Sequence, residues 1–179
     1  MTAAMDRHEL AQRVYRTSHI TGTFTLRSGQ TSTEYFDKYL FESEPELLGE
    51  VADHMSKLIP ADTEVLAGLE MGGIPIATAL SLRTGLPVAF VKKKAKNYGT
   101  MKLAEGTNVR DRQVCIVEDV TTTGGQIVLS ASDLRRLGAR IHSVLCVVER
   151  DAKSEDNLRR EGLNLLALFR MNELELPAL

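Results

Sequence analysis

The segment VCIVEDVTTTGGQ, residues 114–126, decides the fold of this chain. Its first four residues are apolar, as in a buried strand, and its two glycines precede a helical pattern, so the segment indicates a strand, a turn and a helix. Two carboxylates and three threonine hydroxyls lie between the strand and the helix. Three interpretations fit: a metal site, a cradle for a phosphate group, or an ordinary strand-to-helix turn.

Apolar strands alternate with helical patterns on both sides of this segment, which predicts an α/β fold with a central, mostly parallel sheet flanked by helices. The predicted strands are 64–69, 87–91, 113–117, 140–149 and 163–169, and the predicted helices are 74–84, 126–137 and 154–162. Residues 92–106 show no clear period and are interpreted as a long loop. Ligands of such sheets bind at the carboxyl ends of the strands, where the turns at 70–73 and 118–125 and the start of this loop should meet.

The N-terminal part has a different character. A helix is predicted at residues 5–20, followed by a β-rich segment at 24–39 with a turn at Ser28–Gln30. This part is expected to form a small hood over the sheet. The chain is predicted to be a single domain, with the helix and hood at about 1–42 and the α/β core at about 43–170.

The core should begin with another helix, because Ser43 and Glu46 match a capping box and Pro45 suits the first turn. Behind them runs an apolar stripe of helical spacing, formed by Leu47, Leu48, Val51, Met55 and Leu58. This pattern predicts a helix whose apolar face packs on the sheet.

Composition narrows the class of protein. The 179 residues are 43% hydrophobic with a net charge of −2, so the chain lacks the basic excess of proteins held by nucleic-acid phosphates. No apolar run approaches the ~20 residues of a membrane-spanning helix, and the N-terminus does not resemble a signal peptide. Cys115 and Cys146 lie in apolar runs and are interpreted as small buried residues, which fits a reducing cytoplasm.

The carboxylates of Glu118 and Asp119 stand at the mouth of the predicted sheet, where a cation or sugar hydroxyls would meet them. The following turn offers backbone N–H groups, hydroxyls and a helix N-terminus, which together favour a phosphate group. The Walker A and G-x-G-x-x-G patterns are absent, and no histidine adjoins the acid pair. A phosphorylated sugar therefore fits better than a metal ion, although each half of the motif alone equally fits a simple turn.

The motif as a whole is similar to the phosphoribosyl-pyrophosphate (PRPP) binding motif of the type I phosphoribosyltransferase family. Further segments resemble the orotate phosphoribosyltransferases of that family, over roughly residues 20–150: FTLRSG, EYFD, GLEMGGIPIATALS, KKKAKNYG and VVERD. The resemblance implies transfer of the 5-phosphoribosyl group from PRPP to orotate, which gives orotidine 5′-monophosphate and pyrophosphate in pyrimidine (UMP) biosynthesis. It also implies Mg²⁺, bound mainly through PRPP without a set of protein ligands, and a homodimer in which the catalytic loop reaches across the interface.

The resemblance assigns the PRPP contacts. Glu118 and Asp119 would hold the ribose hydroxyls, and the segment that follows would wrap the 5′-phosphate; it comprises Val120, Thr121, Thr122, Thr123, Gly124, Gly125 and Gln126. The turn of Glu70, Met71, Gly72 and Gly73 would support the pyrophosphate. Here Met71 and Gly72 replace a tyrosine-lysine pair of some relatives, so one cation is missing from that side.

The segment after residue 91 is similar to the mobile catalytic loop of the family. Lys92, Lys93 and Lys96 would meet the departing pyrophosphate, and Tyr98 stands where many relatives have histidine. The resemblance thus makes Lys96, Lys93 and Asp119 the catalytic residues. Without the resemblance, an ordinary solvated charge run is the favoured interpretation of the same lysines.

The orotate contacts implied by the resemblance are Arg27, Tyr35, Phe36, Thr122 and Arg150. An arginine that follows a buried strand can pair bidentately with the orotate carboxylate. Two alternatives remain open: a phosphoribosyltransferase for a purine base, and a non-catalytic regulator of the same fold that binds RNA through KKKAK.

Overall fold

The central sheet has six strands. The structure is a computed structural model that describes residues 5–26, 28–94 and 102–174. The sheet strands are β3 (Val65–Leu69), β4 (Val88–Val91), β5 (Ala104–Gly106), β6 (Gln113–Thr121), β7 (Arg140–Glu149) and β8 (Asn164–Arg170). They lie in the order β5-β4-β3-β6-β7-β8, and every neighbouring pair is parallel except β4 and β5. The predicted α/β fold with a mostly parallel sheet is confirmed.

Helices cover both faces of this sheet. They are α1 (Arg7–Ser18), α2 (Lys38–Glu42), α3 (Pro45–Ser56), α4 (Gly73–Thr84), α5 (Gly125–Arg136), α6 (Lys153–Arg160) and α7 (Met171–Leu174). Because side chains alternate along a strand, Cys115 and Val117 of β6 join an apolar cluster with α1, α3 and α4, whereas Val114 and Ile116 join a second cluster with α5 and α6. The continuous apolar runs in the sequence reflect this burial on two faces.

The hood is a two-stranded antiparallel sheet of β1 (His19–Thr25) and β2 (Thr31–Phe36). The predicted turn is confirmed, since the Leu26 N–H donates to the Gln30 carbonyl at 2.8 Å. The predicted helix 5–20 is too long, because His19 already pairs with β2. The boundaries drawn at 1–42 and 43–170 stay a prediction.

The predicted β-rich segment 24–39 also continues too far. β2 ends at Phe36, and the Asp37 carboxylate accepts the Tyr39 N–H at 3.1 Å as the N-cap of α2. An aspartate at this position favours the start of a helix over further extension of a strand. The short helix α2 was therefore missed from the sequence.

The predicted capping box at Ser43 is wrong. The N-cap of α3 is Glu44, whose carboxylate accepts the N–H groups of Glu46 and Leu47. Ser43 instead ends α2 and donates its hydroxyl to the Leu40 carbonyl at 3.0 Å. The helix itself is as predicted, with Leu47, Val51 and Met55 buried and Leu48 partly buried, whereas Leu58 lies beyond the last helical residue, Ser56.

The interpretation of 92–106 as one long loop is also wrong in part. Residues Ala104–Gly106 form β5, which pairs antiparallel with β4 at the edge of the sheet. Three residues are too few to carry a strand pattern, so only the partner strand reveals them. Likewise β6 extends beyond residue 117 to Thr121, because its later residues pair with β7.

Candidate active site

Two of the three predicted loops touch each other at the carboxyl ends of the strands. A Cβ atom built on Gly72 would lie 1.4 Å from Asp119 Oδ2, and one built on Gly73 would lie 2.2 Å from the Val117 carbonyl oxygen. Glycine is required at both positions, because any larger residue would collide with β6. The turn after β3 and the acid pair of β6 therefore form one surface.

The acid pair lies within β6 and not at its end. Asp119 is fully buried; its Oδ1 accepts the Val120 N–H at 2.5 Å, and its Oδ2 lies 2.5 Å from Lys38 Nζ. Burial, and then the charge of Asp119, raises the pKa of Glu118 to about 9. Glu118 therefore holds its proton to a higher pH than an exposed glutamate does and can then donate a hydrogen bond, while Asp119 faces the Lys38 side chain.

Lys38 and Glu42 were missed from the sequence. Both belong to α2, where they stand one helical turn apart, and Glu42 is 6% exposed. Burial, and then the charge of Asp119, raises the pKa of Glu42 to about 8. The local sequence carries no signal that would connect these residues with Asp119, because only the docking of α2 brings them together.

The predicted phosphate segment forms the entry to α5. Thr121 is buried, and its Oγ1 has no hydrogen-bond partner among the residues described. Gly124 has a φ of 75°, and a Cβ there would lie 3.0 Å from Leu158. The Asn157 amide donates to the Thr123 carbonyl at 3.1 Å, so α6 supports the turn from behind. The members of the segment that face solvent are Thr122, Thr123, Gly125 and Gln126.

This turn leaves the N-terminus of α5 available to a ligand. Gly124 provides no side chain for capping, and among the described residues the first turn of the helix receives only a long hydrogen bond, from the Gly125 N–H to the Thr123 hydroxyl at 3.5 Å. The first N–H groups of a helix need acceptors, and the partial positive charge there favours an anion.

The predicted catalytic loop is described only at its two ends. Lys92 Nζ lies 2.8 Å from Glu105 Oε1 and donates to the Lys102 carbonyl at 3.1 Å. Lys93 is exposed and follows the last residue of β4 by two positions in the sequence. Lys96 and Tyr98 lie outside the described residues. In this state, Lys92 therefore joins the two ends of the loop through the edge strand β5.

Three predicted orotate contacts line one pocket of about 190 Å³, namely Tyr35, Phe36 and Arg150. The Arg150 N–H donates to the Thr121 carbonyl at 2.9 Å, which places the pocket next to the phosphate segment. Tyr35 is 42% exposed and Phe36 8%, because neighbouring residues of a strand point to opposite faces. Arg27 lies outside the described residues.

The same pocket contains residues that the sequence did not single out. His19 Nε2 lies 3.4 Å from Glu34 Oε2, and the His19 ring stacks on Tyr15 at a centroid distance of 4.9 Å. The register of β1 against β2 decides their position, since it places His19 opposite Phe36.

Neither a cluster of protein metal ligands nor an exposed cysteine occurs in the described ranges. They contain no group of three or more His, Cys, Asp or Glu side chains arranged to hold a metal ion. Cys115 and Cys146 are free and buried as predicted, and burial raises the pKa of Cys115 to about 12. No helix in this part of the chain is long and apolar enough to cross a membrane.

Comparison with known proteins gives a consistent result. Residues 41–163 match the model of the phosphoribosyl transferase domain. The chain is 48% identical over 166 residues to an orotate phosphoribosyltransferase of Nocardioides sp. JS614, with 93% of each chain covered. It is 40% identical over 167 residues to an orotate phosphoribosyltransferase of Methanocella arvoryzae, which covers 93% of this chain and 95% of that protein.

Solved structures agree with the sequence relatives. The crystal structure of Mycobacterium tuberculosis H37Rv orotate phosphoribosyltransferase in complex with PRPP superposes with a TM-score of 0.82 at 28% identity. The match covers 96% of this chain and all of that one.

Proposed function

This chain belongs to the phosphoribosyltransferase family, among the orotate phosphoribosyltransferases, and we infer from this that it makes orotidine 5′-monophosphate and pyrophosphate from PRPP and orotate. The reaction is a step of pyrimidine biosynthesis. The observation that carries this conclusion is the identity of 48% over 93% of the chain. The geometry agrees with it, because the acid pair with its fully buried Asp119, a helix N-terminus without a capping side chain at Gly124, and a glycine turn adjoin at one edge of the sheet.

The ribose and its phosphate are assigned to β6 and the turn behind it. Glu118 can donate a hydrogen bond to one sugar hydroxyl while Asp119 accepts one from another. The 5′-phosphate would bind at the N-terminus of α5, where Thr121 has an unsatisfied hydroxyl. The contacting residues proposed there are Val120, Thr121, Thr122, Thr123, Gly124, Gly125 and Gln126.

The pyrophosphate is assigned to the turn of Glu70, Met71, Gly72 and Gly73, which lies against Asp119. Its negative charge grows as the bond to C1′ breaks, so cations that approach at this moment accelerate the reaction. Lys92, Lys93 and Lys96 are proposed for this role, with Tyr98 as a hydrogen-bond donor. Lys92 would have to exchange Glu105 for the pyrophosphate as the loop closes.

Mg²⁺ is proposed as the cofactor, carried mainly by PRPP. Hard cations of this kind prefer phosphate and carboxylate oxygens, and when bound the ion would neutralise charge on the pyrophosphate. We assign no residue of the chain as its ligand, since no described group of three candidate side chains converges on the site.

Orotate is assigned to the pocket of Tyr35, Phe36 and Arg150, together with Arg27 and Thr122. The arginine supplies the charge that a base carboxylate requires, whereas a purine has no such group. This difference, together with the relatives, favours orotate over a purine base. The net charge of −2 argues against the regulator that binds RNA.

The activity is tested by following the loss of orotate absorbance in the presence of PRPP and Mg²⁺. Turnover should require both, and hypoxanthine or adenine should not replace orotate. Lys96→Ala is expected to lose turnover and to keep its affinity for PRPP, with Lys94→Ala as the matched control on the same loop. Consumption of a purine base without consumption of orotate would overturn the substrate assignment.

The assembly and location are proposals as well. The family resemblance supports a homodimer in which the loop of one chain reaches the site of the other. Sedimentation equilibrium should then give twice the 19.8 kDa of the chain. The two free, buried cysteines fit an enzyme of the cytoplasm.

A further inference from the structure

Four ionisable side chains meet behind the ribose site, and only one of them is basic. They are Lys38 and Glu42 of α2 and Glu118 and Asp119 of β6, which we call the α2–β6 cluster. Lys38 Nζ lies 2.5 Å from Asp119 Oδ2, and its side chain is 32% exposed whereas that of Asp119 is completely buried. Burial alone would lower the pKa of Lys38, but the interaction with Asp119 outweighs burial and raises the pKa above its usual value, so the ammonium form is retained.

The fold directs Lys38 at this carboxylate. Asp37 caps α2, which fixes Lys38 as the first residue of the helix, and the fully buried Phe41 anchors the helix in the core next to α1 and α3. Lys38 and Glu42 stand at positions i and i+4 and therefore share the face that meets β6. The cap at Asp37 and the buried Phe41 thus place Lys38 beside Asp119.

Both oxygens of Asp119 are thereby fixed. Oδ1 accepts the Val120 N–H, and Oδ2 faces both Lys38 Nζ and the backbone of Gly72. A carboxylate oxygen has two lone-pair sites, so Oδ1 keeps one acceptor position for a sugar hydroxyl, whereas Oδ2 is enclosed by Lys38 and Gly72. Without the ammonium group, Oδ2 would be buried with no cationic partner. Only the hydrogen bond from the Val120 N–H to Oδ1 would then orient the carboxylate.

The contact with Gly72 places the Asp119 carboxylate beside the turn to which the pyrophosphate is assigned. The turn of Glu70 to Gly73 contains no cationic side chain. Among the described contacts, Lys38 is the one cation that touches the carboxylate packed against this turn. An unpaired Asp119 would repel the pyrophosphate that is assigned to the same turn, whereas the paired carboxylate is neutralised.

We propose that Lys38 is a positioning residue for PRPP, which acts through Asp119 by orienting its carboxylate toward the ribose hydroxyls and neutralising it beside the pyrophosphate turn. The proposal rests on the proposed function, because it assumes that PRPP occupies this edge of the sheet. It goes beyond the contacts assigned from the family resemblance, none of which involves α2.

Lys38→Met tests the proposal, with Lys38→Arg as the conservative variant and Lys57→Met, on the exposed end of α3, as the matched control. Affinity for PRPP is measured by calorimetry with PRPP and Mg²⁺ and no orotate, and KM values for both substrates by the orotate assay. Lys38→Met should weaken PRPP binding and raise its KM by about ten- to a hundredfold, with the KM for orotate within about twofold of the wild type. Lys38→Arg should recover most of the loss.

Three outcomes would overturn the proposal: PRPP affinity of Lys38→Met within about twofold of the wild type, equal losses for PRPP and orotate, or no recovery with arginine. If Lys38→Met does not fold, Lys38→Gln replaces it in the same measurements. Failure of the proposed function looks different, because the wild type itself would then not consume orotate. PRPP calorimetry would still report on Lys38 in that case.

Discussion

Gly72→Ala should disrupt the centre of the site, because the added methyl carbon would lie 1.4 Å from Asp119 Oδ2. An ordinary contact begins at 3.4 Å, so the turn or the carboxylate must move by roughly 2 Å. The carboxylate cannot yield easily, since it is fully buried and bound to Val120 N–H and Lys38 Nζ.

The loss of stability follows from this geometry. Breaking a buried ion pair costs about 3–5 kcal/mol, and the partial exposure of Lys38 places this case near the lower end, at about 3 kcal/mol. For a domain of this length, 1 kcal/mol corresponds to about 2–4 °C in Tm, so Gly72→Ala should melt about 6–12 °C below the wild type.

Calorimetric melting and PRPP titration measure both consequences. Gly49→Ala is the matched control, because Gly49 lies inside α3 with no atom within 4 Å of the added Cβ. The free energy of unfolding of this control should rise by about 0.5–1 kcal/mol, because alanine has a higher helix propensity than glycine. Its PRPP affinity should stay unchanged. A Gly72→Ala protein that melts within about 2 °C of the wild type and binds PRPP normally would refute the reasoning.

Three further predictions concern a buried acid, the base pocket and the thiols. Burial raises the pKa of Glu42 from about 4.5 to about 8. Between these two pH values the folded state keeps a proton that the unfolded state releases, so the free energy of unfolding declines as the pH rises from about 4.5 to about 8. Glu42→Gln should therefore flatten the fall of Tm between pH 5 and pH 8, and an unchanged slope would contradict the assignment. Arg150→Met should raise the KM for orotate by about ten- to a hundredfold and leave PRPP affinity unchanged. The control is Arg160→Met, at an exposed arginine. An orotate KM of Arg150→Met equal to that of the wild type would exclude the carboxylate contact. Cys115 and Cys146 should react with a thiol reagent at pH 8 only after unfolding, because burial raises both pKa values, and rapid reaction of the native protein would show that the core is open.

The sequence by itself determined the sheet and its ligand edge. The strand at 113–117, the acid pair and the glycines behind it are local patterns, and each encodes its conformation through side-chain period or turn chemistry. Five strands and the main helices could be predicted for this reason. The family resemblance rested on the same segments, which is why the activity could be predicted before the structure was considered.

Tertiary structure alone decided how the site is charged. Nothing near Lys38 or Glu42 in the sequence indicates Asp119, and only the packing of α2 against the sheet brings the ammonium group within 2.5 Å of the carboxylate. The edge strand β5, too short for a pattern of its own, likewise depends on β4, and the raised pKa of Glu118 depends on burial. Period and turn chemistry act between neighbours along the chain, whereas ion pairs, burial and strand pairing depend on distances that exist only after the elements have packed.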